Sequence, residues 1–259
     1  MSKYSKKNYL TDDNIIIYGK HAVLSALSNK NRFIKRILLG NENKELESQI
    51  LLRLKEANKE VPLEKIEKKS IEKILGKNVK HQGILMFCKK LKKDNIETLL
   101  RRKKNKVGVL LDKITDPNNV GALYRSANCF NLDFVINLER GSVKETGTLL
   151  NTACGAYDNI DTYYANNLVS CIKNFKKNNW WILGTDVDAN LSISNFFSSH
   201  QDIKRLLVVL GSEGDGVRRL TRNHCDFLVK IPIKRENSLN VSNAAAIFFY
   251  EINKHLALN

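Results

Sequence analysis

Apolar positions along this chain recur with two periods, one near 3.6 residues and one near 2, and their alternation lays out the elements. From Ile15, IIIYG reads as a short strand, and KHAVLSALSN as a helix that buries Ala22, Val23, Ala26 and Leu27. IKRILLG predicts a second strand. Residues 44–59 predict a helix with Leu46, Ile50, Leu51 and Leu54 inward. VPLEKIEK then predicts a strand, KKSIEKILG a short helix stopped at Gly76, and HQGILMFCKKL a closing strand. Residues 15–91 thus form a small α/β module. Residues 1–14 show no period and few apolar groups, so they read as a disordered basic tail.

Beyond residue 106 the pattern changes. VGVLLDKI is an apolar strand, TDPNNVG a loop, and ALYRSANCF a helix. DFVINL predicts a strand, KETGTLLNTACGA a helix, NIDTYYA an extended segment and LVSCIKNFKKNN a helix. WWILGTD and RLLVVLG are strands, residues 217–226 a short helix, FLVKIPI a strand, and VSNAAAIFFYEINKHLAL a long final helix. Continuous apolar strands separated by helices imply a parallel sheet covered on both faces. The expected class is α/β in two domains, 15–91 and 107–259, joined by a basic linker at 92–106.

Charge sharpens that division. The 259 residues carry 43 Lys and Arg against 27 Asp and Glu, a net charge of +16. Residues 1–106 hold +15 of it, and residues 107–259 only +1. A lysine-biased genome would raise both halves alike, so the asymmetry points to a polyanion met by the front half. The run Arg101, Arg102, Lys103, Lys104, Lys106 is either a solvated linker or part of that contact.

Other classes are disfavoured. No apolar run approaches the ~20 residues of a membrane span. The opening MSKYSKKNYLTDDN has no apolar stretch after its lysines, and Asp12 and Asp13 argue against an import segment, so a cytoplasmic protein is expected. Five scattered cysteines, with no C-x-x-C spacing, predict buried free thiols and no metal site.

Three loops follow predicted strands, where open α/β sheets bind ligands. In the first, Asp112 to Arg125, Pro117 and two asparagines mark a turn. Arg125 can reach back from the next helix, its planar guanidinium suited to a phosphate. Asn119 as a helix cap and Arg125 in a surface ion pair are the plainer alternatives. The second, Gly211-Ser-Glu-Gly-Asp-Gly216, lacks the G-x-G-x-x-G spacing of dinucleotide loops. Its Glu213 and Asp215 would repel a pyrophosphate, which favours a cationic ligand such as a sulfonium. The third runs from Ile231 to Ser242 into an Ala-rich helix that Ser238 or Asn240 could cap.

Taken together, ITDPNNVGALYRSA, LVVLGSEGDGV and SLNVSNAAA resemble, in order and spacing, the SpoU-type (TrmH-like) branch of the SPOUT RNA methyltransferase superfamily. IYGKHAVLSAL and HQGI resemble the small substrate-binding domain, similar to ribosomal L30e-type proteins, that precedes it in such enzymes. The resemblance spans about residues 15–256. It implies a C-terminal SPOUT domain with a trefoil knot, a topology that general rules make rare. It also implies S-adenosyl-L-methionine held largely by backbone at Gly211, Ile231 and Leu239, and a homodimer formed through the knotted domains. By motif, Asn119, Arg125, Glu213, Ser238 and Asn240 match the polar positions of the active site. One departure stands out: the stretch IKRENSLN has no glycine where the family commonly has one.

The implied reaction is methylation of a ribose 2′-hydroxyl, for which the 2′-OH must lose its proton in a dry, aligned site. No histidine lies in the three motifs. An arginine has a pKa above about 12, so phosphate positioning by Arg125 is preferred over proton acceptance. Glu213 is expected to fix the motif loops or hold Asn119 or Arg125, and nothing calls for magnesium. The resemblance favours a guanosine of large-subunit (23S) ribosomal RNA, with tRNA as the alternative substrate and a non-catalytic RNA-binding assembly factor as the alternative class. A nicotinamide dehydrogenase is disfavoured by the missing fingerprint.

Overall fold

The computed structural model describes residues 13–92, 94–102, 106–234 and 238–257. Lys103, Lys104 and most of the expected N-terminal tail lie outside them. The chain divides into two compact units, Met1–Lys92 with Lys144–Asn159, and Lys93–Val143 with Ile160–Asn259. The segment 144–159, expected inside the rear domain, packs with the front unit. Among the described residues, no helix is long and apolar enough to cross a membrane.

The front unit contains β1 (Asn14–Tyr18), α1 (Lys20–Ser28), β2 (Ile34–Gly40), α2 (Lys44–Glu56), β3 (Leu63–Ile66), α3 (Lys68–Leu75) and β4 (Ile84–Lys89). Its sheet runs β1-β4-β2-β3, with only the β2–β3 pair parallel. Helix α1 buries Ala22, Val23, Ala26 and Leu27 as its spacing predicts. Helix α2 buries Leu46, Ile50 and Leu54, but Leu51 is exposed: Leu46, Ile50 and Leu54 already complete the four-residue ridge, and Leu51 falls off it.

In the rear unit come α4 (Ile96–Arg101), β5 (Val107–Asp112), α5 (Pro117–Cys129) and β6 (Phe134–Leu138). The chain then crosses to the front unit for α6 (Gly147–Thr152) and α7 (Ala156–Asn159). The helix expected over 144–156 is shorter, Gly147–Thr152, because Cys154 and Gly155 both take left-handed backbone (φ 50° and 91°), and a separate α7 follows. The rear unit resumes with β7 (Asp161–Ala165), α8 (Leu168–Lys177), β8 (Trp181–Thr185), β9 (Leu191–Ser192), α9 (Ile193–Ser199), β10 (Leu206–Gly211), α10 (Arg219–Arg222), β11 (Phe227–Lys230) and α11 (Val241–Ala257). Its seven strands are all parallel, in the order β7-β6-β5-β10-β8-β11-β9. Every residue of β5, β6 and β10 is buried, as expected of strands covered on both faces.

The expected linker is partly structured. Ile96, Leu99 and Leu100 share one face of α4, and Leu99 is fully buried in the rear core. Helix α5 starts earlier than expected, at Pro117, because Asp116 caps it by accepting from the Asn118 and Asn119 N–H groups. Strand β11 ends at Lys230, before the Ile231-Pro232 pair, since proline cannot donate to the ladder.

Within the front unit, Arg32 is fully buried between Glu145 and Asp158. Its Nε donates to Asp158 Oδ1 at 3.0 Å, and its Nη1 donates to Glu145 and to the Lys89 carbonyl (3.2 Å). Burial alone would lower the guanidinium pKa, but the two carboxylates outweigh it and raise it. All five cysteines are free. Cys129 and Cys154 are exposed, contrary to expectation, whereas burial pushes the thiols of Cys88, Cys171 and Cys225 up to about 12.

Candidate active site

The order of strands reverses around β8: β10 lies on one side of it, and β11, the next strand of the chain, on the other. Loops leaving the carboxyl ends of such strands diverge and open a crevice. A cavity of about 420 Å³ lies there, bordered by Asp186, Gly211, Glu213, Ile231, Ser238 and Leu239, among others. That volume suits a ligand of nucleoside size.

Gly211 closes β10 against its own loop. A Cβ there would stand 1.9 Å from the carbonyl carbon of Gly216 and 2.1 Å from the Val217 nitrogen, so no side chain fits. The loop is pinned from below by Asp112, buried at the end of β5. Its Oδ1 accepts from Arg218 Nε at 2.6 Å, and its Oδ2 accepts from the Arg218 N–H at 3.1 Å.

Beside the cavity, three of the predicted polar residues meet. Asn119 Nδ2 donates to Glu213 Oε1 at 3.0 Å, and Asn240 Nδ2 donates to Asn119 Oδ1 at 3.0 Å and to Glu213. Asn240 also caps α11, its Oδ1 accepting from the Ser242 N–H at 2.9 Å. Capping and site architecture are therefore not rival explanations of Asn240. Asn119 itself is not the cap of α5; that is Asp116. Ser238 and Leu239 border the cavity, Ser238 exposed and Leu239 half-buried. Arg125 lies two turns into α5, exposed, and among the described residues it makes no hydrogen bond or ion pair. The surface ion pair considered for it is not formed, and it does not border the cavity. Residues 235–237 of the glycine-less loop lie outside the described residues.

The sequence pattern of the SpoU rRNA Methylase family matches residues 106–250, which hold every residue of this site. The chain belongs to that family. The pattern described as RNA 2′-O ribose methyltransferase substrate binding matches residues 16–93. A Staphylococcus epidermidis relative, named as a TrmH family tRNA/rRNA methyltransferase, is 30% identical over 248 residues, covering 93% of this chain and 95% of its own. A Staphylococcus aureus relative of the same name is 29% identical over 245 residues, covering 93% and 96%. In fold, the chain is similar to the SpoU methyltransferase AviRb from Streptomyces viridochromogenes, solved with AdoMet, at a TM-score of 0.78 and 17% identity, over 94% of this chain and 90% of that one.

For a SpoU methylase, the sequence reading missed one loop. Thr185, Asp186, Val187 and Asp188, after β8, also border the cavity. Asp186 is held there by Arg222, whose Nη1 donates to Asp186 Oδ2 at 2.7 Å. The signal was present as T-D-x-D closing an apolar strand, the same position that marked the other three loops. Asp186, Asp188, Glu213 and Asp215 give the cavity four carboxylates against Arg222 and Lys230. A surplus of negative charge suits a cationic ligand.

Proposed function

We propose that this SpoU-family methylase moves a methyl group from S-adenosyl-L-methionine to the 2′-hydroxyl of a guanosine in large-subunit ribosomal RNA. The observation that carries the reading is the Asn119–Glu213–Asn240 cluster, joined by hydrogen bonds between the start of α5 and the loops after β10 and β11, beside a glycine-closed, carboxylate-rich cavity. The residues fit the cofactor. Gly211 lets the loop after β10 fold back tightly at the cavity edge, Ile231 and Leu239 offer apolar walls for an adenine ring, and the carboxylates suit a sulfonium. When bound, the cofactor supplies an electrophilic methyl group.

The chain's own residues do the rest. Glu213 accepts from both asparagine amides, which fixes the loops after β10 and β11 against the start of α5. Ser238 presents a hydroxyl at the cavity edge, able to hydrogen-bond a ribose. Arg125, with its guanidinium unspent, is available to grip the phosphate next to the target ribose; its fork fixes orientation as well as charge. On the same reading the C-terminal segment threads the family's trefoil. Two copies pair through the rear unit, where Ile247 and Tyr250 lie exposed one turn apart on α11.

The test uses full-length protein, methyl-labelled cofactor and either protein-free large-subunit ribosomal RNA or total tRNA. Nuclease digestion with mass spectrometry should place the label on a guanosine ribose of the ribosomal RNA. Label in tRNA would shift the substrate, and label on a base, or none, would overturn the reaction. Light scattering should give twice the 29.6 kDa chain mass.

A further inference from the structure

The HQGI motif is not used by the methyl-transfer site, yet it builds a second cavity inside the front unit. The turn is heavily constrained. Gln82 and Gly83 take left-handed backbone (φ 52° and 76°), the Gly40 N–H donates to the Gly83 carbonyl at 2.8 Å, and Asn43 Nδ2 donates to the Gln82 carbonyl at 3.3 Å. Gln82 Oε1 accepts from the Lys20 N–H that opens α1, at 2.9 Å. These bonds hold His81 in place, and its Nδ1 accepts from the Gly83 N–H at 3.1 Å. An imidazole whose Nδ1 accepts carries its proton on Nε2 when neutral. Burial lowers the pKa of this ring, which keeps it neutral near pH 7.

His81 is only 4% exposed, and among the described residues its Nε2–H has no hydrogen-bond partner, although Nε2 is not among the fully buried atoms left unpaired. A ring N–H with no protein partner that still reaches solvent is left to water or to a ligand. The ring borders a cavity of about 680 Å³ whose charged lining is Glu42, Glu67 and Glu72 with Lys68, Lys77 and Lys80. Lys77 and Lys80 are exposed at the cavity and free to meet an anion, while half-buried Glu72 offers an acceptor. One ligand class combines an anion with a planar ring that both donates and accepts hydrogen bonds.

We propose that this cavity binds a single unstacked ribonucleotide of the RNA substrate, with His81 Nε2–H donating to its base and Lys77 and Lys80 meeting its phosphate. Unstacked bases in loops and bulges are the parts of RNA that proteins read directly. The inference rests on the RNA reading above and gives the front unit a specific anchoring point.

Two substitutions separate recognition from support. His81→Asn places an acceptor near the Nδ1 position and keeps the turn bond, but removes the cavity donor. His81→Gln places an N–H near the Nε2 position and removes the turn acceptor. Full-length protein labelled with ¹⁵N-histidine is titrated with the four ribonucleoside 5′-monophosphates, and with inorganic phosphate at matched ionic strength. At least one nucleotide should shift the His81 ring resonances saturably at millimolar concentration, with phosphate alone far weaker. His81→Asn should weaken that nucleotide about three- to tenfold, the worth of one hydrogen bond, and His81→Gln should bind within about twofold of the parent while melting lower. No saturable shift, an equal response to phosphate, or normal binding by His81→Asn would overturn the proposal. Methyl transfer to RNA is assayed alongside. Intact transfer without nucleotide binding removes this site alone, and nucleotide binding without transfer removes the proposed reaction alone.

Discussion

The Asn240 side chain is used from both ends, its oxygen starting α11 and its amide nitrogen reaching Asn119 and Glu213. Arg125 is the opposite case, exposed and uncommitted. Arg125→Ala should abolish turnover yet leave cofactor affinity unchanged in calorimetry, because Arg125 does not border the cavity. Arg125→Lys keeps the charge without the fork. It should lower single-turnover rate about a hundredfold with little change in pH profile, whereas a base role would move the profile toward lysine's ordinary value near 10.4. His81 gives a second test. Its pKa is depressed in the folded chain, so below the ordinary imidazole value of about 6.5 the unfolded chain takes up a proton that the folded one does not. The stability held by the neutral ring should therefore be present above that pH and lost as pH falls. His81→Asn should flatten that part of the urea-midpoint profile. Asn119, Glu213 and Asn240 were legible because each lies in a segment that follows the carboxyl end of a strand, Asn119 in the first turn of α5. Their mutual bonds were not, since 94 residues separate Asn119 from Glu213 in sequence.

Elements with an unbroken apolar stripe were readable nearly residue by residue, as in α1 and β10. Short ones were not: α4 carries its signal on three residues inside a basic run, and the two-residue β9 offers no period at all. The break between α6 and α7 escaped because Cys154 adopts a conformation its residue type rarely takes. These two short helices hold much of their place through the Arg32 cluster. Arg32→Ala would leave Glu145 and Asp158 buried without their cation, so chemical denaturation should show a loss of about 3–5 kcal/mol. A loss below about 1 kcal/mol would mean that water or Lys59 replaces the guanidinium. In the rear unit, Gly211→Ala forces a methyl into the Gly216 carbonyl group, so the loop must shift. Cofactor binding should fall sharply and the melting temperature should drop with it, because the atoms met are backbone and Val217 beside them is packed in the rear core.

The charge division was the strongest signal of a two-part molecule, with +15 of the net +16 before residue 107. RNA affinity should accordingly be steep in salt. Six neutralised phosphates correspond to about a thousandfold loss between roughly 50 and 200 mM, readable by filter binding. A shallow slope would mean that the lysines are not in contact with the backbone. What composition could not reveal is that the front unit is written in two places, up to Lys92 and again at Lys144–Asn159. The second stretch lies inside the span matched by the methylase pattern, and its Glu145 and Asp158 close on Arg32 from the first. A hybrid enzyme made by one splice near residue 92 would bring in a foreign front piece and keep the old carboxylates. Unless the donor supplies an arginine in the same place, two acids are left facing an apolar interior. Swapping this front unit between relatives, in the laboratory or by natural recombination, thus calls for two linked exchanges, and its two stretches of chain should be inherited as a pair.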